Sequence, residues 1–321
     1  MKEFFLMNVC ALVAGFLLDA LLGDPAWLYH PVCAIGKYIS FMEKRLRRRG
    51  GNLRKSALAL TASTVILTML VAFALLFALS LCGRVWLLIG MALMDWLGIA
   101  ARSMVREALG VQRALGRGLE DARKQVGRIV GRDTQALSEQ EIIKATVETT
   151  AENTTDGVIS PMLYAIIGGP VLLWGFKAAS TLDSMVGYLD EKYRDIGWSS
   201  AKLDDILNWI PARLTALLRV CAAYLGGMDG KSAWRVVKRD HANHLSPNCA
   251  WSEAAAAGAL GIRLGGAHEY FGKTVYKPTI GDDVRPARES DIDRTCLILY
   301  ISSGIFIVLA ALMGLVIKLC L

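Results

Sequence analysis

Long apolar runs alternate with charged segments along this chain. A helix needs about 20 apolar residues to cross a bilayer core of about 30 Å. Four runs reach or approach that length, at 4–22, 56–81, 85–101 and 295–319. The pattern predicts four membrane spans in an all-α, polytopic membrane protein that forms one integral membrane domain over 1–321.

Two further apolar runs are interrupted, and their path is ambiguous. The run 158–176 contains Gly168, Gly169 and Pro170, and the run 206–227 contains Pro211 and two arginines. Broken or charged segments occur at membrane depth only where protein or a water-filled cavity covers them. We therefore expect these two segments to be broken or re-entrant helices beside a polar cavity.

Basic residues predict the orientation. Eight lysines and arginines lie between the first two predicted spans, and a second basic stretch begins at Arg102. The positive-inside rule places both on the cytoplasmic face. The segments 23–55, 102–157 and 228–294 are predicted to be cytoplasmic, with amphipathic helices after Arg102. Residues 177–205 lie outside if both ambiguous segments cross, and inside if neither does.

Composition supports a membrane protein. The 321 residues are 54% hydrophobic and 20% charged, more apolar and less charged than an ordinary soluble domain. The net charge of +7 accompanies no nucleic-acid-binding module, so we expect no nucleic-acid partner. The seven cysteines form no C-x-x-C pair and predict neither a disulfide framework nor a zinc site. The first run is long for a signal peptide and lacks a clear cleavage site, which favours a retained helix.

Polar residues concentrate in four clusters near the apolar runs. In the first, Asp19 lies near the end of the first span and Asp24 and His30 follow it, and the three fit either a helix stop or a functional site. In the second, Glu148, Glu152 and Asp156 are spaced to share one helix face. Repelling carboxylates at that spacing fit a Mg²⁺ site, with Asn153 as a further oxygen ligand, or else a solvated helix face.

The other two clusters lie between and after the ambiguous segments. The third runs from Lys177 through Asp183 and Asp205 to Arg213. The fourth spans 239–253, where an H-x-x-H spacing is too weak to predict zinc and the start of a helix fits an anion site. Its candidate residues are Arg239, Asp240, His244, Ser246, Asn248 and Glu253.

Taken together and in this order, the clusters resemble the adenosylcobinamide-phosphate synthase family of cobalamin biosynthesis (the CbiB/CobD type). The similarity covers nearly the whole chain. It is carried by L-L-G-D-P-A-W-L-Y-H-P-V, E-T-T-A-E-N-T-T-D-G-V-I-S-P, K-A-A-S-T-L-D-S-M-V-G-Y, L-D-D-I-L-N-W-I-P-A-R, H-L-S-P-N and E-A-A-A-A-G-A-L-G-I-R-L-G-G. Small departures occur at Ser180, His241 and Cys249-Ala250, and they put roles for Ser180 and His241 in doubt.

The resemblance implies an ATP-dependent amide ligation. The carboxylate of adenosylcobyric acid, a cobalt corrinoid, would be joined to the amine of aminopropanol phosphate, or of aminopropanol, through an acyl phosphate. ATP and Mg²⁺ are the implied cofactors. The implied roles are as follows: metal ligands Glu148, Glu152, Asn153 and Asp156; catalytic groups Asp240, His244, Lys177 and Arg213; substrate or ATP contacts Asp24, His30, Asp183, Asp205, Arg239, Ser246, Asn248 and Glu253.

Three other classes of protein remain open. Broken helices with charges near mid-membrane also suit a secondary transporter, although the sequence has no visible internal repeat. A Mg²⁺-dependent transferase embedded in the membrane and a non-catalytic sensor are the other two. For the ligase we expect a multi-pass protein of the bacterial inner membrane with a cytoplasm-facing site. Its partners would be the small-molecule substrates, the lipid bilayer and other cobalamin-assembly enzymes.

Overall fold

The fold is almost entirely helical, with one small hairpin. A computed structural model describes residues 2–25, 27–188, 190–270 and 273–320. Their contacts group into two compact units. Unit 1 comprises Met1–Ala100, Ser160–Asn208 and Ile307–Leu321, and unit 2 comprises Ala101–Ile159 and Trp209–Phe306. Each unit is therefore assembled from segments that are distant in sequence.

Unit 1 contains the most apolar helices. Its complete helices are α1 (Lys2–Leu22), α2 (Pro31–Arg49), α3 (Leu53–Leu81), α4 (Arg84–Gly98), α8 (Ser160–Val186) and α9 (Trp198–Leu207). Large apolar side chains of α3 such as Leu70, Phe73 and Phe77 are more than half exposed. An apolar surface of that kind is stable against lipid and unfavourable against water.

Unit 2 carries the polar clusters on shorter helices and a hairpin. Its helices are α5 (Ala101–Leu115), α6 (Leu119–Val126), α7 (Glu139–Thr154), α10 (Trp209–Leu225), α11 (Gly230–Asp240) and α12 (Cys249–Leu260), with one π-helical turn at Thr155–Ile159. Strands β1 (Leu264–Tyr270) and β2 (Lys273–Ile280) pair antiparallel. The last helix, α13 (Ser290–Cys320), begins in unit 2, and its C-terminal part from Ile307 belongs to unit 1.

The predicted all-α membrane class is confirmed. Among the described residues, five helices are long and apolar enough to cross a membrane, or six if α9 and α10 count as one broken span. The runs 4–22, 56–81 and 295–319 lie inside α1, α3 and α13. The run 85–101 extends beyond α4, because Ile99 is in the extended conformation before α5 begins. Which helices cross the bilayer, and in which direction, remains a prediction.

The two interrupted runs have breaks in the structure. In α8 the backbone leaves helical geometry at Gly168 and Gly169, where Gly169 has φ +66°. Pro170 disfavours the helical conformation for the residue before it, and glycine takes a positive φ without a steric cost. The second run is divided between α9 and α10 at Asn208, so it does not form one continuous helix.

Candidate active site

In unit 2, acidic side chains from α7 and α12 lie close enough to influence one another. Glu148 and Glu152 lie one helical turn apart on α7, and Glu253 is buried on α12. His244 and Cys249, just before and at the start of α12, lie within electrostatic reach of Glu152. We call these five residues the acid cluster.

Glu148 is firmly held by the surrounding protein. One carboxylate oxygen accepts the Gly265 N–H at 2.8 Å, and the other accepts Nη1 of Arg132 at 3.3 Å. The side chains of Arg132 and Glu148 are only 5% and 12% exposed. The bond from the Gly265 N–H fixes the start of the hairpin against α7, and the ion pair with Arg132 is buried. Glu148 therefore has a structural role whatever else it binds.

Glu152 is engaged more weakly. Its Oε1 accepts the Cys249 thiol at 3.2 Å, and a thiol is a weak donor. Burial raises the pKa of the Cys249 thiol well above its usual range, and the nearby charges of Glu152, Glu253 and Asp156 add to that effect. Cys249 therefore stays protonated and donates to Glu152, and it is poorly suited to act as a nucleophile.

Glu253 is held in its protonated form. Burial raises the pKa of its carboxyl well above the usual value, and Glu152 and Glu148 raise it further. Lys277 and Arg132 oppose the shift without reversing it. Carboxyls in one low-dielectric site cannot all ionise, so the cluster combines a protonated Glu253 with carboxylate acceptors.

The imidazole of His244 has a defined tautomer. Its Nδ1 accepts the Ser246 N–H at 2.9 Å, which assigns the proton of the neutral ring to Nε2. Burial lowers the pKa of His244, and Lys277 lowers it further, although Glu152 and Glu148 act in the opposite direction. The Nε2 atom is buried and has no hydrogen-bond partner in the described part of the chain. His244 thus presents an Nε2–H donor.

Asp240 is structural. Its two carboxylate oxygens accept Nε and Nη2 of Arg239 at 2.7 and 2.8 Å, and the Gly281 N–H donates to Oδ2 at 2.8 Å. Burial alone would raise the pKa of Asp240, but the bonds from Arg239 and Gly281 outweigh it and leave the pKa lowered. Arg239 is also bonded to Asp282. The bonds from Gly281 to Asp240 and from Arg239 to Asp282 therefore join the end of α11 to the residues after β2. Because its pKa is lowered, Asp240 is a weak proton acceptor.

Arg213 stacks between two tryptophans. Its guanidinium lies 4.1 Å from the ring centre of Trp209 and 4.7 Å from that of Trp251. It donates to the Trp209 carbonyl at 2.6 Å and reaches Asn248 Oδ1 at 3.5 Å. The stacking holds the guanidinium plane near the start of α12.

A separate polar group lies in unit 1. His30 caps α2 by accepting the Val32 N–H, and its Nε2 is 3.9 Å from Asp24. Burial lowers the pKa of His30, Asp24 opposes the shift, and Lys177 adds to it. The structure therefore brings Asp24, His30 and Lys177 together. Asp205 forms an ion pair with Lys202 on its own helix.

The four predicted metal ligands lie in different surroundings, and their role as Mg²⁺ ligands stays a prediction. Among the described residues, no three histidine, cysteine, aspartate or glutamate side chains are grouped to hold a metal ion. The Asn153 amide donates to the Thr149 carbonyl, and Asn153 lines a cavity of about 250 Å³ with Glu107 and others. Asp156 lies in the π-helical turn and not in the regular helix that the predicted stripe assumes, and its charge still acts on Cys249 together with that of Glu152. The carboxylate and amide oxygens of these residues are the ligand type that Mg²⁺ prefers.

The buried Arg219 contacts the last residue of α7. Arg219 is fully buried and donates to the hydroxyls of Thr154 and Thr295 at 2.9 and 3.2 Å. Thr154 is the last residue of α7, and the π-helical turn that carries Asp156 follows it. The sequence analysis treated Arg219 only as a charge inside an apolar run. Its burial depends on partners that are distant in sequence.

Three residues near the acid cluster were not singled out from the sequence: Arg132, Cys249 as a partner of Glu152, and Lys277. Arg132 was one of many basic residues in its segment, and Cys249 was noted only as a departure from the family pattern. Lys277 lies on β2, an element that the sequence analysis did not predict.

Comparisons with known proteins give a consistent result. The family model described as CobD/Cbib protein matches residues 12–299. Proteins named "Cobalamin biosynthesis protein CobD" are similar over most of their length. The one from Listeria monocytogenes EGD-e is 49% identical over 304 residues, covering 93% of this chain and 96% of the relative. The one from Geobacter metallireducens is 48% identical, covering 94% and 95%, and that from Klebsiella pneumoniae is 43% identical, covering 94% and 96%. No solved structure matches.

Proposed function

Because the chain belongs to the CobD/CbiB family of cobalamin biosynthesis, we propose that it catalyses an ATP-dependent amide ligation. The carboxylate of adenosylcobyric acid attacks the γ-phosphorus of ATP, ADP leaves, and an acyl phosphate forms. The amine of aminopropanol phosphate, or of aminopropanol, then attacks the acyl carbon. The bond between that carbon and the phosphate oxygen breaks, and the amide and inorganic phosphate result.

The acid cluster is the observation that carries this proposal. An amine arrives as an ammonium ion, which carboxylates attract and which must lose a proton before it can attack. Glu152 suits that role because its one bond in the cluster comes from a weak thiol donor. Glu148 is already held by Arg132 and Gly265. We assign Glu152 as the proton acceptor.

His244, one of the catalytic groups that the resemblance implies, suits the role of a hydrogen-bond donor. With Nδ1 accepting from Ser246, the ring offers a donor at Nε2. A buried donor without a partner costs about 1–3 kcal/mol, and a substrate oxygen that accepts this bond recovers that cost. A carbonyl oxygen gains negative charge as the amine attacks, so a donor there stabilises the transition state. We assign His244 as that donor.

The nucleotide phosphates require cations. Arg239 is largely occupied by Asp240 and Asp282, which leaves Arg213 as the better-placed candidate in unit 2. Bound with ATP, Mg²⁺ would neutralise phosphate charge, and Asp156 is the carboxylate of this chain that would contact it, because Glu152 must stay clear of the metal to accept a proton. ATP and the corrinoid are cytoplasmic, so we place the site on the cytoplasmic side of a bacterial inner membrane.

A secondary transporter is the second candidate, favoured by one observation. The break in α8 at Gly168 and Gly169 borders a cavity of about 400 Å³ that Asn8 also lines. Interrupted helices beside a cavity are typical of transporters. A transporter would move a corrinoid without consuming the amine, so the ligation assay below separates the two functions.

The test is ligation by full-length protein in liposomes with ATP, adenosylcobyric acid and the amine. We expect Glu152→Gln to lower the rate about 10²-fold or more, as removal of a positioned base does. Glu139→Gln, an exposed residue in the first turn of the same helix, is the matched control and should keep wild-type activity. Equal activity of both variants would overturn the assignment of Glu152, and no ligation by the wild type would overturn the proposed function.

A further inference from the structure

The carboxyl of Asp95 is buried without a partner. Asp95 lies near the C-terminal end of α4, in a segment apolar enough to cross a membrane. Its exposure is 0%, and neither carboxyl oxygen has a hydrogen-bond partner among the residues that the structure describes. The function proposed above makes no use of this residue.

Helix α1 packs closely against α4 at this position. A Cβ atom added at Gly15 would lie 2.8 Å from Cβ of Asp95 and 2.9 Å from the Ala92 carbonyl. The helices therefore touch through their backbones at this point, as small residues allow within membranes. Two nearby indole donors are used elsewhere, because Trp96 donates to the Gly23 carbonyl and Trp174 to the Met94 carbonyl.

Within the described ranges, no hydrogen bond joins this carboxyl to a cation on the helices that pack on α4. On α1 the nearest ionisable residue in sequence is the acid Asp19, one turn beyond Gly15 and also fully buried. On α8, Lys177 lies beside His30, whose ring bonds the Leu97 backbone two residues beyond Asp95, and Asp183 is near the far end of the helix. The cations of α3 and α4 lie in their first turns, Arg54 and Lys55 on α3 and Arg84 on α4. The partial negative charge at the C-terminus of α4 also opposes an anion at Asp95.

An isolated carboxylate in this environment is very costly, and a bound cation removes the cost. A metal ion needs about six oxygen ligands. The helix carbonyls beside Asp95 are engaged in the helix itself, and Gly15 contributes no side chain. A proton needs only the carboxyl. We propose that Asp95 is an intramembrane proton-binding site, whose resident ligand is a proton and not a metal cation.

Infrared difference spectroscopy of the full-length protein in liposomes at neutral pH tests this proposal. Subtracting the spectrum of Asp95→Asn from that of the wild type should leave the C=O stretch of a protonated carboxyl, shifted on exchange into D₂O. Glu191→Gln, at an exposed position in a turn, is the control and should remove carboxylate bands only. Replacing choline by Na⁺ in the buffer should leave the Asp95 band unchanged.

Two results would overturn the proposal. If Asp95→Asn removes only carboxylate bands, Asp95 is ionised and has a cationic partner. If the protonated band disappears in Na⁺ but persists in choline, the site binds a metal cation in competition with the proton. Neither readout depends on ligation activity, so this test stands apart from that of the proposed function.

Discussion

The contact between α11 and α12 permits one sharp prediction, because Gly258 lies where α12 touches the backbone of α11. A Cβ atom at Gly258 would lie 2.6 Å from the Ser232 carbonyl oxygen and 2.7 Å from Cα of Ala233. Both are backbone atoms, so no side chain can rotate away. Gly258→Ala must displace α12, the helix that carries Cys249 and Glu253.

The size of the effect follows from two opposing contributions. Overpacking of a close contact costs about 1–3 kcal/mol, and rigid backbone neighbours place this site at the upper end. Replacing glycine by alanine inside a helix returns about 1 kcal/mol. We expect a net loss of about 1–2 kcal/mol, which at about 2–4 °C per kcal/mol lowers Tm by several degrees.

The matched control is Gly304→Ala in α13. It is also a helical glycine, but outside its own stretch of helix no atom of the described residues lies within 4 Å of the added Cβ. This variant should gain up to about 1 kcal/mol from helix propensity alone. Thermal unfolding in detergent measures both variants, and ligation should fall only in Gly258→Ala. A Gly258→Ala protein as stable as the Gly304→Ala protein would refute the reasoning.

The remaining predictions concern the ionisable residues of unit 2. Asparagine at position 244 has an acceptor at the place of Nδ1 but no donor at the place of Nε2. Glutamine is longer and puts an N–H at the place of Nε2. Ligation should therefore be about 10²-fold slower in His244→Asn and should largely survive in His244→Gln; equal losses in both would contradict the donor role. The lowered pKa of His244 means that the unfolded chain takes up a proton first as pH falls below about 6.5, so acidification destabilises the fold. The raised pKa of Glu253 acts in the opposite sense: stability is lost as pH rises above about 4.5, and Tm of Glu253→Gln should decline less over that range than Tm of the wild type. Asp240→Asn should lower the free energy of unfolding by about 2–3 kcal/mol, and Tm with it, through loss of the Arg239 pair; the loss stays below that of a fully buried pair because the arginine is half-exposed. An unchanged Tm would show that the pair is not structural.

The helices of unit 1 could be predicted because their signal is local. A run of about 20 apolar residues has few alternatives to a membrane helix. The break in α8 was also visible, because Gly168, Gly169 and Pro170 impose it through their own backbone preferences. Boundaries were less certain, and Ile99 ends α4 inside a run that remains apolar for two more residues.

The acid cluster was only partly predictable. Its carboxylates were singled out from their spacing and from the resemblance to a known family. The partners that define each role come from distant segments, as with Arg132 for Glu148 and Cys249 for Glu152. The tautomer of His244 depends on a backbone N–H two residues away, and spacing alone does not show whether such a bond forms.

The hairpin was missed because its strands give a weak sequence signal. β1 begins Leu264-Gly265-Gly266, β2 contains Pro278, and neither has a clean alternation of apolar and polar residues. The segment therefore seemed part of a polar cytoplasmic stretch. Its position matters for the site, because the Gly265 N–H holds Glu148 and Lys277 acts on both His244 and Glu253.

The central claim is that this protein forms an amide bond at the expense of ATP. The most direct test measures ADP and product formation by full-length protein in liposomes, with adenosylcobyric acid and aminopropanol phosphate supplied together and each alone. We expect one ADP per amide formed, and rapid turnover only when both substrates are present. Two results would contradict the claim. One is rapid ATP consumption with the corrinoid as the only substrate and no amide product, and the other is corrinoid uptake into the liposomes without ligation.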